Sequence, residues 1–353
     1  MPTQVDLAAP DDWHVHLRDD EMLATVAPIT ARSFRYALVM PNLIPPIATA
    51  AAAARYRDRV LDVVGDQGRA DFEPIMALYL TEQLTVDDLV AGFDDQIVHA
   101  VKYYPAGATT NSASGGTSLA LFRPVLEAMA ARGIPLLVHA ESTDPAIDIY
   151  DRERAFLDTE LAAVVADLPG LAVTVEHLST KSGAEFVLAN DNVSGSITPH
   201  HLACDRSDLL ANGLRPDLYC KPIINSADDR RALVAAATSG SPDFFLGTDS
   251  APHPGAHKYG PEAKPGIFNA PFALSVVAEV FHQADALDNL EAFTSLNGCR
   301  HYGFKPSDAR IRLRRTAPES VATEVITSGG AVVKIFGVAE ASLWSVTDLE
   351  ESR

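Results

Sequence analysis

HAVKYYP, residues 99–105, is a short apolar run with a lysine at its centre. Its length, its β-branched valine and its aromatic residues suit a strand covered on both faces, as in a parallel sheet. Seven further runs of this kind punctuate the chain: DDWHVHL (11–17), RYALVMPN (35–42), EPIMALYLT (73–81), IPLLVHAE (134–141), LAVTVEHLS (171–179), SGSITPHHL (194–202) and DFFLGTDS (243–250). Amphipathic segments separate them. Residues 118–132 put Leu119, Phe122, Leu126 and Met129 at helical spacing with Gly133 as a stop, and Ser226 with Asp229 opens another helix as a capping box. Eight strands alternating with helices predict an α/β protein, a (β/α)8 TIM barrel. No GxGxxG follows the first strand, which argues against a dinucleotide-binding Rossmann fold. DLYCKPII (217–224) is a ninth extended run, read as a strand or a long loop.

The tail differs. After about residue 305, IRLRR, TEVITS and AVVKIFGV read as short β segments without helices between them. The expectation is one domain over residues 1–353, with a barrel core from about 10 to 304 and a β-containing appendage from about 305 to 353. Of the 353 residues, 47% are hydrophobic and 21% charged, ample for a large core. The net charge of −19 would repel phosphate backbones and anionic bilayers, which argues against nucleic acid and membrane partners. Cys204, Cys220 and Cys299 stand far apart without a CxxC pair, so they form neither a disulfide framework nor a cysteine zinc finger. With no signal-like start and no apolar run of the roughly 20 residues needed to span a bilayer, the expectation is a soluble cytoplasmic protein.

Barrel chemistry sits at the C-terminal ends of strands. Those ends carry His14, His16, Asn42, Lys102, His139, His177 and Asp249. His14 and His16 share a strand face with Cα atoms roughly 6.5 Å apart, so both rings reach one metal ion. Each of the others, taken singly, reads as a hydrogen-bonded core residue, a turn or a cap; their convergence on one face points to a site for zinc or a similar divalent metal. A snorkelling surface lysine is the ordinary explanation of Lys102. Buried beside cations, its amine loses its proton more readily and can add carbon dioxide, giving a bidentate anionic ligand able to bridge two metals. Glu141 and Glu176 flank two of the histidines and either orient them or form plain salt bridges. His200 and His201, adjacent on an expected strand, face opposite sides and are assigned core or surface roles.

HVHLRD, VMPN, KYYPAGATTNS, PLLVHAE, VEHLSTK, ITPHHL, YCKPI, GTDSAPH and FNAP together give a sequence that resembles the amidohydrolase superfamily and, within it, the dihydroorotases of the shorter, class II bacterial type. The resemblance spans most of the chain. It implies reversible cyclisation of N-carbamoyl-L-aspartate to L-dihydroorotate with loss of water, the third step of de novo pyrimidine synthesis. It further implies two Zn2+ per subunit: His14, His16 and Asp249 on one, His139 and His177 on the other. Lys102 as N6-carboxylysine and a hydroxide would bridge them, that hydroxide attacking the amide carbonyl in the hydrolytic direction with Asp249 as proton shuttle. Arg18, two residues after His16 and expected on the same strand face, would with Asn42 and His253 hold the unreactive carboxylate, Lys221 would contact the ring through its backbone, and Thr109 and Thr110 would donate from a lid loop. Pro265 lacks the N–H expected at its position, so Gly266 is the candidate to replace it. A homodimer is the usual assembly in the family. The competing readings are another cyclic amidase, such as a hydantoinase or deaminase type, and a non-catalytic scaffold for another pyrimidine enzyme; the full ligand set argues against the scaffold.

Overall fold

The computed structural model describes residues 3–211, 213–317 and 319–349. In chain order the strands are β1 (Gln4–Ala8), β2 (Asp12–Val15), β3 (Tyr36–Val39), β4 (Glu73–Tyr79), β5 (Ala100–Tyr103), β6 (Leu136–Val138), β7 (Val173–Val175), β8 (Val193–Ile197), β9 (Phe244–Leu246), β10 (Arg310–Arg315), β11 (Glu324–Ile326), β12 (Val332–Lys334) and β13 (Trp344–Leu349). β2 to β9 form an eight-stranded sheet in sequential order. Neighbouring strands run parallel throughout. The outer strands then meet: Asp249 N donates to His14 O at 2.8 Å and His16 N to Ser250 O at 3.0 Å. The sheet is therefore a barrel, as the eight apolar runs predict.

Leu136–Val138, Val173–Val175 and Phe244–Leu246 are buried along their whole length. The reason is the doubly covered position: one side chain packs against the helices and the next fills the barrel. Trp13, Leu38, Met40, Ile75, Ala77, Ala100, Leu137 and Phe245 plug the interior below the site. Trp13 stacks on Tyr302 with ring centroids 4.7 Å apart. The backbone of Gly298 crosses its indole so closely that a Cβ there would lie 2.0 Å from Nε1.

Three local expectations change. SGSITPHHL is a strand only to Ile197; Thr198 caps a helix over Pro199–Ala203, with Oγ1 accepting from His201 N at 3.1 Å. Proline at the first helical position after a threonine cap is a strong helix start, and it overrides the strand pattern. His200 and His201 thus sit on a helix, and both are buried. DLYCKPII contributes no strand; a 3-10 turn at Pro216–Leu218 leads into a loop. The tail sheet also recruits the N-terminus: β1 pairs antiparallel with β10, and β10 with β13, while β11 and β12 form a hairpin. QVDLA is too short to announce itself as a strand, and its partner lies some 300 residues away in sequence. Gly133 and the Ser226–Asp229 capping box stand where the sequence puts them, Gly133 in the left-handed region at φ 70°. Among the described residues no helix is long and apolar enough to cross a membrane.

Gly298→Ala is expected to destabilise the protein by about 1–3 kcal/mol through overpacking against Trp13. Thermal denaturation reads this as a lowered Tm; an unchanged Tm would mean that the indole can move aside at no cost.

Candidate active site

The polar residues at the strand ends converge. His14 lies in β2 and His16 just past it; Lys102 lies in β5 and pairs in register with Leu137. His139, His177 and Asp249 follow β6, β7 and β9 by one to three residues. Arg18, His177 and Asp249 take positive φ values of 61°, 45° and 45°. Side-chain-bearing residues pay a steric cost there, so strain is concentrated where these groups are aimed into the barrel mouth. Arg18 is consequently outside the strand, and strand alternation from His16 does not govern its direction.

His14 Nε2 and His16 Nε2 are 3.3 Å apart. Asp249 Oδ1 lies 3.3 Å from the first and 3.0 Å from the second. Asn42 Oδ1 sits 2.9 Å from His16 Nδ1, the atom that therefore carries the proton. Burial pushes the His16 pKa down to about 4, so the ring is neutral and its Nε2 lone pair faces a carboxylate. Two electron pairs at 3.0 Å repel unless a cation stands between or beside them, and a divalent metal fits this donor set. Burial works against charge on His14, but the carboxylates of Glu176 and Asp249 outweigh it and hold its pKa up at about 9. For Asp249 the order is similar: burial raises it, and the charge of His14 with its hydrogen bond keeps it well below the usual carboxylate range.

On the other side, Glu141 Oε2 is 2.7 Å from His139 Nε2, leaving Nδ1 to face His177 Nε2 at 3.1 Å. His177 Nδ1 is buried without a partner. Lys102 lies between the two histidine pairs and is fully buried, its Nζ reaching Glu176 and standing 4.6 Å from the centre of the Tyr104 ring. Burial lowers the Lys102 pKa in spite of Glu176. Glu176 also binds His14 Nδ1 at 2.9 Å. It therefore orients a histidine across the barrel rather than its sequence neighbour His177. Among the described residues, His14, His16 and Asp249 form one group of close ligand atoms, and His14, Glu176 and His177 another. His200, His201 and Cys220 form a third. There His201 Nε2 and Cys220 Sγ both lie 3.2 Å from Pro222 O, which takes their protons as in an ordinary hydrogen-bonded core.

His14, His16, Arg18, Asn42, Thr109, Thr110, His139, His177, Lys221 and Asp249 line a single cavity, joined by Tyr104, Ala251, Pro265 and Gly266. Lys102 lies beneath its floor. His253 stands behind Arg18, with Nε2 3.1 Å from Nη2, and burial followed by the Arg18 charge pushes its pKa down to about 2, so it is neutral. The Gly266 N–H is already committed, donating to Tyr219 O at 2.9 Å. It is not free to replace the donor that Pro265 lacks. A larger cavity, between residues 203–218 and the tail, gathers no comparable donor set.

The loop after β5 lies over the site. Asn42 Nδ2 donates to Thr110 O at 3.0 Å, and Asn111 Nδ2 returns a bond to Asn42 O at 3.0 Å. Asn42 thus connects His16 to the loop through the two ends of one amide. Asn111 is a residue the sequence reading passes over; its signal is the tolerance of asparagine for the left-handed region, which it occupies at φ 56°.

An amidohydrolase family model matches residues 7–307. A dihydroorotase of Jannaschia sp. (strain CCS1) is 48% identical over 350 residues, covering 99% of this chain and 100% of its own. Among solved structures, a dihydroorotase from Campylobacter jejuni superposes with a TM-score of 0.88 at 33% identity, covering 99% of this chain and 98% of its own. A dihydroorotase from Saccharomyces cerevisiae, solved in complex with 5-fluoroorotic acid, gives 0.90 at 29% identity over 98% of this chain and 99% of its own. The barrel and its donor set agree with these likenesses, and the chain belongs to the amidohydrolase family and, within it, to the dihydroorotases.

Proposed function

We propose that this cavity carries out the reversible cyclisation of N-carbamoyl-L-aspartate to L-dihydroorotate, the third step of pyrimidine synthesis, with two zinc ions per chain. The observation that carries the reading is the facing of the neutral His16 Nε2 and the Asp249 carboxylate at 3.0 Å, next to a second histidine pair and a buried lysine. His14, His16 and Asp249 would hold one metal, His139 and His177 the other. Lys102, carboxylated on Nζ, would bridge them; burial favours the neutral amine that adds carbon dioxide. Metals bound there supply Lewis acidity toward water and the amide carbonyl.

The remaining work falls to side chains. In the ring-opening direction Asp249, ionised because the His14 charge holds its pKa down, takes the proton of the attacking water and delivers it to the ring nitrogen as the C–N bond breaks. In the cyclising direction it accepts the proton lost by the carbamoyl nitrogen. Arg18 offers a planar donor pair to the carboxylate that does not react. Asn42 flanks that end, the neutral His253 would reach it from beside Arg18, Lys221 covers the ring, and Thr109 and Thr110 close the mouth and exclude water. We assign the chain to one domain, with β1 joining the tail strands against the barrel, to the cytoplasm on its three unpaired cysteines, and to a homodimer on the family resemblance alone.

Ring opening should be measured on L-dihydroorotate and on hydantoin in parallel. Turnover of the first and little of the second is expected, and absence of dihydroorotate turnover would sink the assignment. Asp249→Asn is expected to keep most of its metal while kcat falls by about 10²–10⁴, the usual share of a positioned acid–base group. Substantial residual activity would remove Asp249 from the proton path. Lys102→Ala should lose metal and activity together, with partial return of both in added short-chain carboxylic acids; full metal content in the variant would contradict the bridging role.

A further inference from the structure

Lys258 closes the short helix Gly255–Lys258 and is 6% exposed. Its partners are backbone carbonyls: Nζ donates to Tyr219 O at 2.8 Å and to Gly266 O at 2.7 Å. The same two segments are joined by Gly266 N donating to Tyr219 O at 2.9 Å. One ammonium therefore ties together two stretches of chain that approach the cavity from different loops. Beyond Tyr219 comes Lys221, and before Gly266 comes Pro265; Lys221, Pro265 and Gly266 all line the cavity, whereas Lys258 does not.

The tie has little slack. Gly266 sits at φ 146°, and a Cβ there would lie 2.5 Å from Ala251 O and 2.9 Å from His253 Cδ2. Its backbone is thus pressed against the turn that carries His253. Pro265 O is 3.0 Å from His253 Nε2, and Ala251 N donates to Ile267 O at 2.8 Å. A shift of the 265–266 segment would move His253, and through it Arg18, whose Nη2 is 3.1 Å away. The ammonium also places a buried positive charge near His253, where it helps push that imidazole's pKa down. Burial lowers the Lys258 pKa to about 8, so it is charged at neutral pH. Short-range interactions at a water-poor site make such a charge felt through a thin backbone wall.

We propose that Lys258 is a positioning residue for the substrate's anionic end, bracing the 219–221 and 265–266 segments against His253 and Arg18 from behind the cavity wall. It touches neither substrate nor metal. The proposal rests on the reading of this cavity as the dihydroorotase site, and it separates substrate binding from metal binding and chemistry.

The test compares wild type with Lys258→Met, Lys258→Gln and Lys258→Arg, using ring opening of L-dihydroorotate, metal content per chain, and thermal melts. Lys258→Met should raise KM by about tenfold or more with kcat within about threefold and metal content unchanged, the pattern of lost binding rather than lost chemistry. Lys258→Arg, which keeps charge and donors, should recover much of the KM. Lys258→Gln keeps an N–H donor without the charge and should fall between, and it serves as the uncharged variant if Lys258→Met does not fold. A KM within about twofold of wild type in the uncharged variant overturns the proposal. So does a kcat that falls with KM unchanged, parallel loss of metal and activity, or an arginine variant no better than the uncharged one. If wild type itself does not open dihydroorotate, the site reading fails instead. Calorimetric binding of orotate then decides on Lys258 by itself: weaker binding in the uncharged variants supports the brace, and equal binding overturns it.

Discussion

The first and last barrel strands meet at the carboxylate of Asp12. Its Oδ1 accepts from His14 N at 3.1 Å and Thr248 N at 2.8 Å, and its Oδ2 accepts from Thr248 Oγ1 at 2.6 Å. Asn269 Nδ2 adds a bond to Thr248 O at 2.8 Å. Asp12 is fully buried, so removing any of these donors would strand a polar group away from water. The consequence is geometric. The residues that follow these bonds, His14 on one strand and Asp249 on the other, are fixed relative to each other before any ligand arrives. A barrel closed a fraction of an ångström differently would not bring His14, His16 and Asp249 onto one point.

Around that seam the carboxylates do separate jobs. Glu141 takes an imidazole proton from His139 Nε2, leaving Nδ1 as a lone pair directed toward His177, and the Glu176 carboxylate stands 2.9 Å from His14 Nδ1 as the counter-charge of that ring. Glu153 works one layer further out. It accepts from Ser179 N at 2.8 Å, Ser179 Oγ at 2.7 Å and Thr180 N at 3.0 Å, clamping the turn that follows the strained His177. The pattern is consistent with strain at a site being sustained by over-determined surroundings. Asn42 extends the arrangement to the loop above, because one amide serves both His16 and Thr110.

Much of this could be read before folding. The eight apolar runs foretell the eight barrel strands, because a strand covered on both faces has no freedom to alternate with polar residues. The His and Asp residues at their ends point to a metal site, because imidazole and carboxylate gathered on one face are the donors such an ion takes. The misreadings are equally physical. His200 and His201 look like strand residues until Thr198 and Pro199 are weighed as a helix start. Arg18 reaches the cavity from a left-handed conformation that period-2 reasoning does not foresee. Gly266 has an N–H, as the sequence says, but Tyr219 O already holds it.

The sequence by itself determined the kind of fold and the residues able to bind metal, since both follow from local pattern and residue chemistry, and its motifs carried the resemblance to the dihydroorotases. Only the tertiary structure decided the pairings: Glu176 with His14 and Lys102, Asn42 with both His16 and Thr110 of the loop after β5, β1 with β10, and Lys258 with two carbonyls behind the cavity wall. These partners lie from 8 positions apart, for Lys258 and Gly266, to 310 apart, for Gln4 and Arg314. No local rule connects such residues; the closed barrel brings them within hydrogen-bond distance, and distance is what selects the partner of each buried charge.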